Sequence, residues 1–215
     1  MWGCNLGWPL VLNWASGFSL VSNQRFGISL DMRNLLSILL LCLLLASCGE
    51  EKTVEGEKTV QERAEEGDAA GQFELGDIHY KGKGVPLDYD EALKWYRKAA
   101  EQGDATAQYN LALMYFKGVG VPKDDAEAVK WYRKAAEQGH ANGQYNLGLM
   151  YYRGDGVPQD YTTAYMWLNL AAATGSENSA KARDLLAKRM PKEQIAEGQK
   201  LSREWLERKA KENGE

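Results

Sequence analysis

The chain reads as all-α: a solenoid of stacked antiparallel helix pairs. Three observations carry that expectation. A tryptophan returns every 36 residues, at Trp95, Trp131 and Trp167. Around each stands a block repeated almost residue for residue, with Gln72/Gln108/Gln144, Leu75/Leu111/Leu147, Asp88/Asp124/Asp160 and Ala99/Ala135/Ala171 in register, and a proline at Pro86, Pro122 and Pro158. Inside each block apolar residues keep helical spacing between joints rich in glycine and proline. A fixed period of roughly 20 to 50 residues marks a stack of like units, none of which can bury its apolar face except against a neighbour.

Taken from the amino terminus, residues 1–31 read as an over-extended start. Met32 and Arg33 stand directly before the long apolar run Leu35 to Ala46 and make a better beginning. That run is too short for a spanning helix, which needs about 20 residues, but has the length of a signal-peptide core, so 32–47 reads as a cleaved leader. It ends in Leu45-Ala46-Ser47-Cys48, which resembles the lipobox of bacterial lipoproteins. The resemblance implies cleavage before Cys48, acylation of its thiol, and a membrane contact through the lipidated residue. Gly49 and Glu50 follow with no aspartate, which by the lipoprotein sorting pattern implies an outer-membrane address facing the periplasm. The alternative is a buried apolar helix that happens to carry Cys42 and Cys48. On the lipobox reading, Cys4 and Cys42 precede the cleavage point and the Cys48 thiol is acylated, so packing alone must hold the fold.

Residues 48–66 then form the lipidated cysteine, a charged tether over Gly49 to Lys58, and a partial helix from Thr59 to Glu66 that shields the first block. Repeats follow at 67–102, 103–138 and 139–174. In the middle one, Asp104 suits an N-cap, and Ala107, Leu111, Met114 and Tyr115 fall on one helical side. Gly118 suits a left-handed helix end, and Val119-Gly120-Val121-Pro122 reads as a tight turn that Pro122 keeps from continuing as helix. Asp124 caps the second helix, with Glu127 three residues on; the same capping-box pattern stands at Asp88 and Glu91 but is lost at Asp160, where Thr163 takes the third place. Ala128, Trp131, Tyr132, Ala135 and Ala136 line one side of that helix. Gly103, Gly139 and Gly175 punctuate the joints between blocks.

The first two blocks carry Lys94 and Lys98, or Lys130 and Lys134, where the third has Met166 and Leu170. Two lysines replaced by apolar residues at this spacing predict a covered face. The predicted cover is 175–209: a helix through Ala180, Leu185 and Leu186, a break at Pro191, then an amphipathic helix carrying Ile195, Leu201, Trp205 and Leu206, with 210–215 as a tail.

The strings Ala107 to Tyr115, Gly118 to Pro122 and Ala128 to Gly139 resemble the Sel-one-like repeats, relatives of the tetratricopeptide repeat with a longer unit. The resemblance covers about residues 67 to 174. It implies a right-handed α-α superhelical solenoid that serves as an adaptor for other proteins, often secreted or envelope-associated in bacteria, with first helices lining a concave groove.

No catalytic constellation stands out. His79 and His140 occupy different repeat positions, the first that of Tyr115 and Tyr151, the second that of Asp104. Gly82-Lys83-Gly84 lacks the Ser or Thr that a phosphate loop requires, and Gly118-Val119-Gly120 marks it as a turn. Some cysteine-rich relatives of the resembled family bind or hydrolyse β-lactams. No serine here has a lysine three places later, and the cysteine pairs of those relatives are missing. The expectation is therefore no enzyme, no cofactor, no metal and no small-molecule substrate. Lys and Arg number 26 against 30 Asp and Glu, a net charge of −4 with the signs interspersed, which argues against nucleic acid.

Positions that differ between otherwise identical blocks are the candidates for binding. Glu74, Asp77 and Lys81 correspond to Asn110, Leu113 and Lys117 and to Asn146, Leu149 and Arg153, each trio on one helix face. A protein or peptide in the groove is the leading expectation, with burial against the next hairpin as the bland alternative for these trios. A cell-wall polymer stacked on exposed tyrosines is the second functional expectation, and a β-lactam-binding or hydrolysing protein the weaker third.

Overall fold

A computed structural model describes residues 58–214. Within them the chain is helical and contains no strand: α1 (Val60–Glu65), α2 (Ala69–Lys81), α3 (Tyr89–Glu101), α4 (Ala105–Lys117), α5 (Asp125–Glu137), α6 (Ala141–Arg153), α7 (Tyr161–Ala173), α8 (Glu177–Ala187) and α9 (Lys192–Asn213). Each helix from α1 to α7 packs on the next, and α9 returns to lie along α7. Leu35 to Ala46, Cys48 and the tether up to residue 57 lie outside the described residues, as does residue 215. No helix among those described is long and apolar enough to cross a membrane.

The six repeat helices have equal lengths because their ends are written identically. Asp68, Asp104 and His140 each accept a backbone N–H three residues on, capping the first helix of a pair. Gly82, Gly118 and Gly154 take left-handed φ values of 63°, 69° and 80°, a conformation that favours glycine, and end it. The loop then closes on a bond from the N–H of Asp88, Asp124 or Asp160 to the carbonyl of His79, Tyr115 or Tyr151, 3.0 Å in all three cases.

Pro86, Pro122 and Pro158 follow the first helices, which end at Gly82, Gly118 and Gly154. All three are exposed and lie in the loop, two residues before the aspartate that caps the second helix. Pro158 thus contributes through its fixed φ and not through packing: it restricts the chain that delivers Asp160 to the Tyr151 carbonyl. Gly103, Gly139 and Gly175 stand at the joints between pairs.

The loop bond also corrects the expected capping boxes. The N–H of Asp88 and of Asp124 is already engaged, so Glu91 and Glu127 pair with Lys94 and Lys130 instead. A complete box forms where no such carbonyl is at hand, between Thr59 and Glu62 at the start of α1.

Between pairs, a buried glutamine ladder ties each unit to the one before. Gln72, Gln108 and Gln144 donate to the carbonyls of Ala64, Ala100 and Ala136 at 3.2, 3.0 and 3.2 Å. Gln102 and Gln138 donate in turn to Gln72 and Gln108 and to the carbonyls of Gly67 and Gly103. The third rung is absent: Thr174 stands where a glutamine would, its hydroxyl turns to the carbonyl of Ala171, and Gln144 Oε1 has no partner.

The three repeated tryptophans are buried to the same degree, 8%, 8% and 6% exposed. Lys98 and Lys134 lie over the rings of Trp95 and Trp131, 3.8 and 3.9 Å from the centroids. At Trp167 the lysine has become Leu170, which is buried, and Trp205 of α9 meets the ring edge-on at 6.2 Å. Gly198 permits the approach, since a Cβ there would sit 2.9 Å from the Tyr165 ring. Leu185 and Leu206 depart from expectation. They are 62% and 49% exposed, because α8 turns Leu186 inward and α9 seats Trp205.

The register also continues further than the sequence reading takes it. Ser176 caps α8 at the position of Asp68, Asp104 and His140; Leu185 follows Leu113 and Leu149; Arg189 follows Lys81, Lys117 and Arg153. Thus α8 is the first helix of an incomplete fourth pair, and α9 packs along α7 instead of completing it.

Candidate functional site

Successive first helices α2, α4, α6 and α8 are separated by a series of clefts floored by the second helices. The cleft between α2 and α4 is lined by Phe73, Asp77, Tyr80 and Lys81 on one wall, Asn110 and Leu113 on the other, with Tyr96 of α3 at its base. One period on, Phe116, Tyr132, Asn146, Leu149 and Arg153 line a smaller cleft of about 60 Å³. The last, of about 210 Å³, is bounded by Leu149, Tyr152, Leu168, Leu185 and Arg189.

Seven of the nine candidate residues thus line two clefts: Asp77, Lys81, Asn110 and Leu113 in the first, Asn146, Leu149 and Arg153 in the second. Glu74 is drawn away to Arg63 of α1. Lys117, exposed at the end of α4, has no ion-pair partner among the described residues, and neither has Arg153. The repeated signature residues stay out of the clefts: the tryptophans are buried in the core, and Pro86, Pro122 and Pro158 sit in the exposed loops. The sequence reading missed the aromatic row Tyr80, Phe116 and Tyr152 and the final cation Arg189. Both could be found by carrying the 36-residue register through every position and past 174.

The chemistry of the clefts changes from one to the next. In the first, the Tyr96 hydroxyl donates to Asp77 at 2.9 Å, and the same carboxylate pairs with Lys81. Burial and that carboxylate push the Tyr96 phenol well above its ordinary value, so it stays protonated. One repeat on, Leu113 of the shared helix α4 holds the position of Asp77. The Tyr132 hydroxyl, on a residue 1% exposed, has no partner. Burial raises this phenol too, with the Asn146 amide pulling the other way. In the third, Leu168 replaces the tyrosine and the walls are mostly aliphatic.

On α6, His140 Nδ1 accepts the Gly143 N–H at 3.1 Å while its ring stacks on Tyr109 at 4.8 Å, so it caps the helix in place of an aspartate. Among the described residues no group of three His, Cys, Asp or Glu could hold a metal ion. Tyr89, at 38%, is the one exposed tyrosine among them, which leaves few faces for stacking on sugars.

A family profile described as the Sel1 repeat matches residues 69–104, 105–140 and 141–176. The chain is similar to a Sel1 repeat protein from Oxalobacter formigenes, 40% identical over 58% of this chain and 94% of the other, with a TM-score of 0.55. It is similar as well to a protective antigen of uropathogenic Escherichia coli strains displaying an SLR fold, at 30% identity, 73% coverage of this chain and a TM-score of 0.47. This chain spans 43% of that antigen. A third likeness is to Helicobacter pylori cysteine rich protein B, 21% identical over 57% of this chain and 93% of the other, TM-score 0.47. No curated protein matches the chain.

Proposed function

From the premise that this chain belongs to the Sel1 repeat family, we propose that it is a non-enzymatic interaction scaffold of the bacterial cell envelope, holding a protein or peptide in the clefts between its first helices. The observation that carries the reading is the division of each repeat into two classes of position. Capping, glutamine-ladder and tryptophan positions barely vary and are spent on packing, whereas position 77/113/149 changes from Asp to Leu, position 110/146/182 changes from Asn to Ala, and both face the clefts. A surface that changes from unit to unit on an unchanging frame is how repeat arrays gain specificity.

Anchoring belongs to the same proposal. A cysteine directly after a short apolar run supports acylation at Cys48, and several acyl chains would hold the scaffold stably at a membrane facing the periplasm. Mass spectrometry of the mature amino terminus tests this: an acylated Cys48 is expected, and an unmodified chain beginning at Met1 contradicts it.

The scaffold reading is tested by affinity capture from detergent-solubilised membranes, with Asn110→Ala, Leu113→Ala and Asn146→Ala variants as controls. A defined protein retained by the wild type and lost from folded variants is expected. Retention unchanged by all three contradicts a cleft site, and pull-down with purified sacculi instead supports a cell-wall polymer as ligand.

A further inference from the structure

The first two clefts are one site written twice, with one group removed. In the first, Tyr96 hydroxyl, Lys81 ammonium and Asp77 carboxylate satisfy one another. In the second, Tyr132 and Lys117 recur at the same repeat positions, but Leu113 stands in place of the carboxylate. The Tyr132 hydroxyl is left as a buried donor with nothing to donate to, and a buried donor without an acceptor is strongly disfavoured. Arg153 adds a second cation from the facing helix, and Asn146 lines the same cleft.

We infer that the cleft between α4 and α6 binds a carboxylate of the partner, which takes the place that Asp77 fills in the cleft before it. The inference rests on the scaffold reading and names what the scaffold recognises. The carboxylate accepts from the Tyr132 hydroxyl, pairs with Arg153, and is drawn in by Lys117, whose charge is uncompensated among the described residues. A cleft of about 60 Å³ suits a small polar head rather than a ring. The neighbouring aliphatic cleft at Leu149, Leu168 and Leu185 receives an apolar side chain of the same segment. Either an acidic side chain or a free C-terminal carboxylate supplies the chemistry.

A random 12-residue peptide library, displayed in one arm internally and in the other with a free carboxyl end, is selected on the protein, and enriched peptides are measured by fluorescence anisotropy. Acidic residues are expected in the first arm if a side chain is read, or selection confined to the second if the C terminus is read. Replacing Glu by Gln in the selected peptide, or amidating its end, weakens binding by about tenfold or more. Tyr132→Phe weakens binding several-fold with little change in the melting temperature, because the hydroxyl it removes donates to no acceptor in the unbound protein. Leu113→Asp supplies an internal carboxylate and abolishes binding in a folded protein. Binding that survives Glu→Gln, amidation and Leu113→Asp but is lost in Leu149→Ala overturns carboxylate recognition and leaves the scaffold reading standing. Selection of no peptide sensitive to any cleft variant overturns both.

Discussion

At the scale of single residues, equal sequence positions acquire different environments, and the differences are measurable. Thr174 breaks the glutamine ladder and strands Gln144 Oε1 in the interior. Thr174→Gln should complete the rung by donating to Gln144 and to the Gly139 carbonyl, as Gln138 does one unit earlier. A gain of about 1 kcal/mol is expected, a rise of roughly 2–4 °C in melting temperature, read by calorimetry. An unchanged or lower value would remove the ladder from the account. His140 is the other such residue. It caps α6 as a neutral acceptor, and burial lowers its pKa while Asp104 pulls weakly upward. Its folded value lies below the unfolded value of about 6.5, so its contribution is complete above that pH and is lost as pH falls through the folded value. Between pH 7 and 5 the wild type should lose more stability than His140→Asp, which restores the cap of Asp68 and Asp104. Parallel profiles for the two proteins would contradict this.

At the scale of elements, the ends of the helices were legible in the sequence and their contacts were not. Gly118 announces where a helix stops, because few residues tolerate a left-handed φ, and Pro122 and Pro158 mark the loop that follows, because proline cannot continue a helix. Nothing local announces that the turn glycines press on the previous unit. A Cβ at Gly156 would lie 2.3 Å from the Asp125 backbone and one at Gly120 2.7 Å from the Tyr89 carbonyl, whereas one at Gly84 would meet nothing. Gly84→Ala therefore carries only the strain of its positive φ, about 1–2 kcal/mol. Gly156→Ala adds a backbone clash and should cost clearly more. Equal denaturant midpoints for the two would mean that the units do not stack through these turns. The failed capping boxes have a similar cause: whether Glu91 is needed depends on the His79 carbonyl arriving from nine residues earlier, which a three-residue motif does not encode.

At the scale of the whole molecule, stability is a sum of units and of the joints between them. Trp131 belongs to the central apolar cluster, with a unit on either side, while Trp95 belongs to a small cluster with Ala64 and Leu75. Trp131→Ala and Trp95→Ala each remove an indole worth about 3 to 5 kcal/mol, but the central loss should unfold the array at the lower temperature; equal melting temperatures would contradict the ordering. The candidate clefts were half legible from sequence. Comparing blocks picked out Asp77, Asn110, Asn146 and Leu149, because variation within a repeat is visible without a structure. The orphaned hydroxyl of Tyr132 was hidden, because tyrosine occupies that position in two blocks and only the loss of Asp77's counterpart, on another helix, separates them.

The central claim is that partners lie between the first helices and not on the second-helix face. Photo-crosslinking tests it most directly, with benzoylphenylalanine placed at Leu149 in the clefts and at Lys94 or Lys130 on the second helices. The account predicts one discrete adduct from position 149 and none from 94 or 130. An adduct formed from 94 or 130, with position 149 silent, would contradict it.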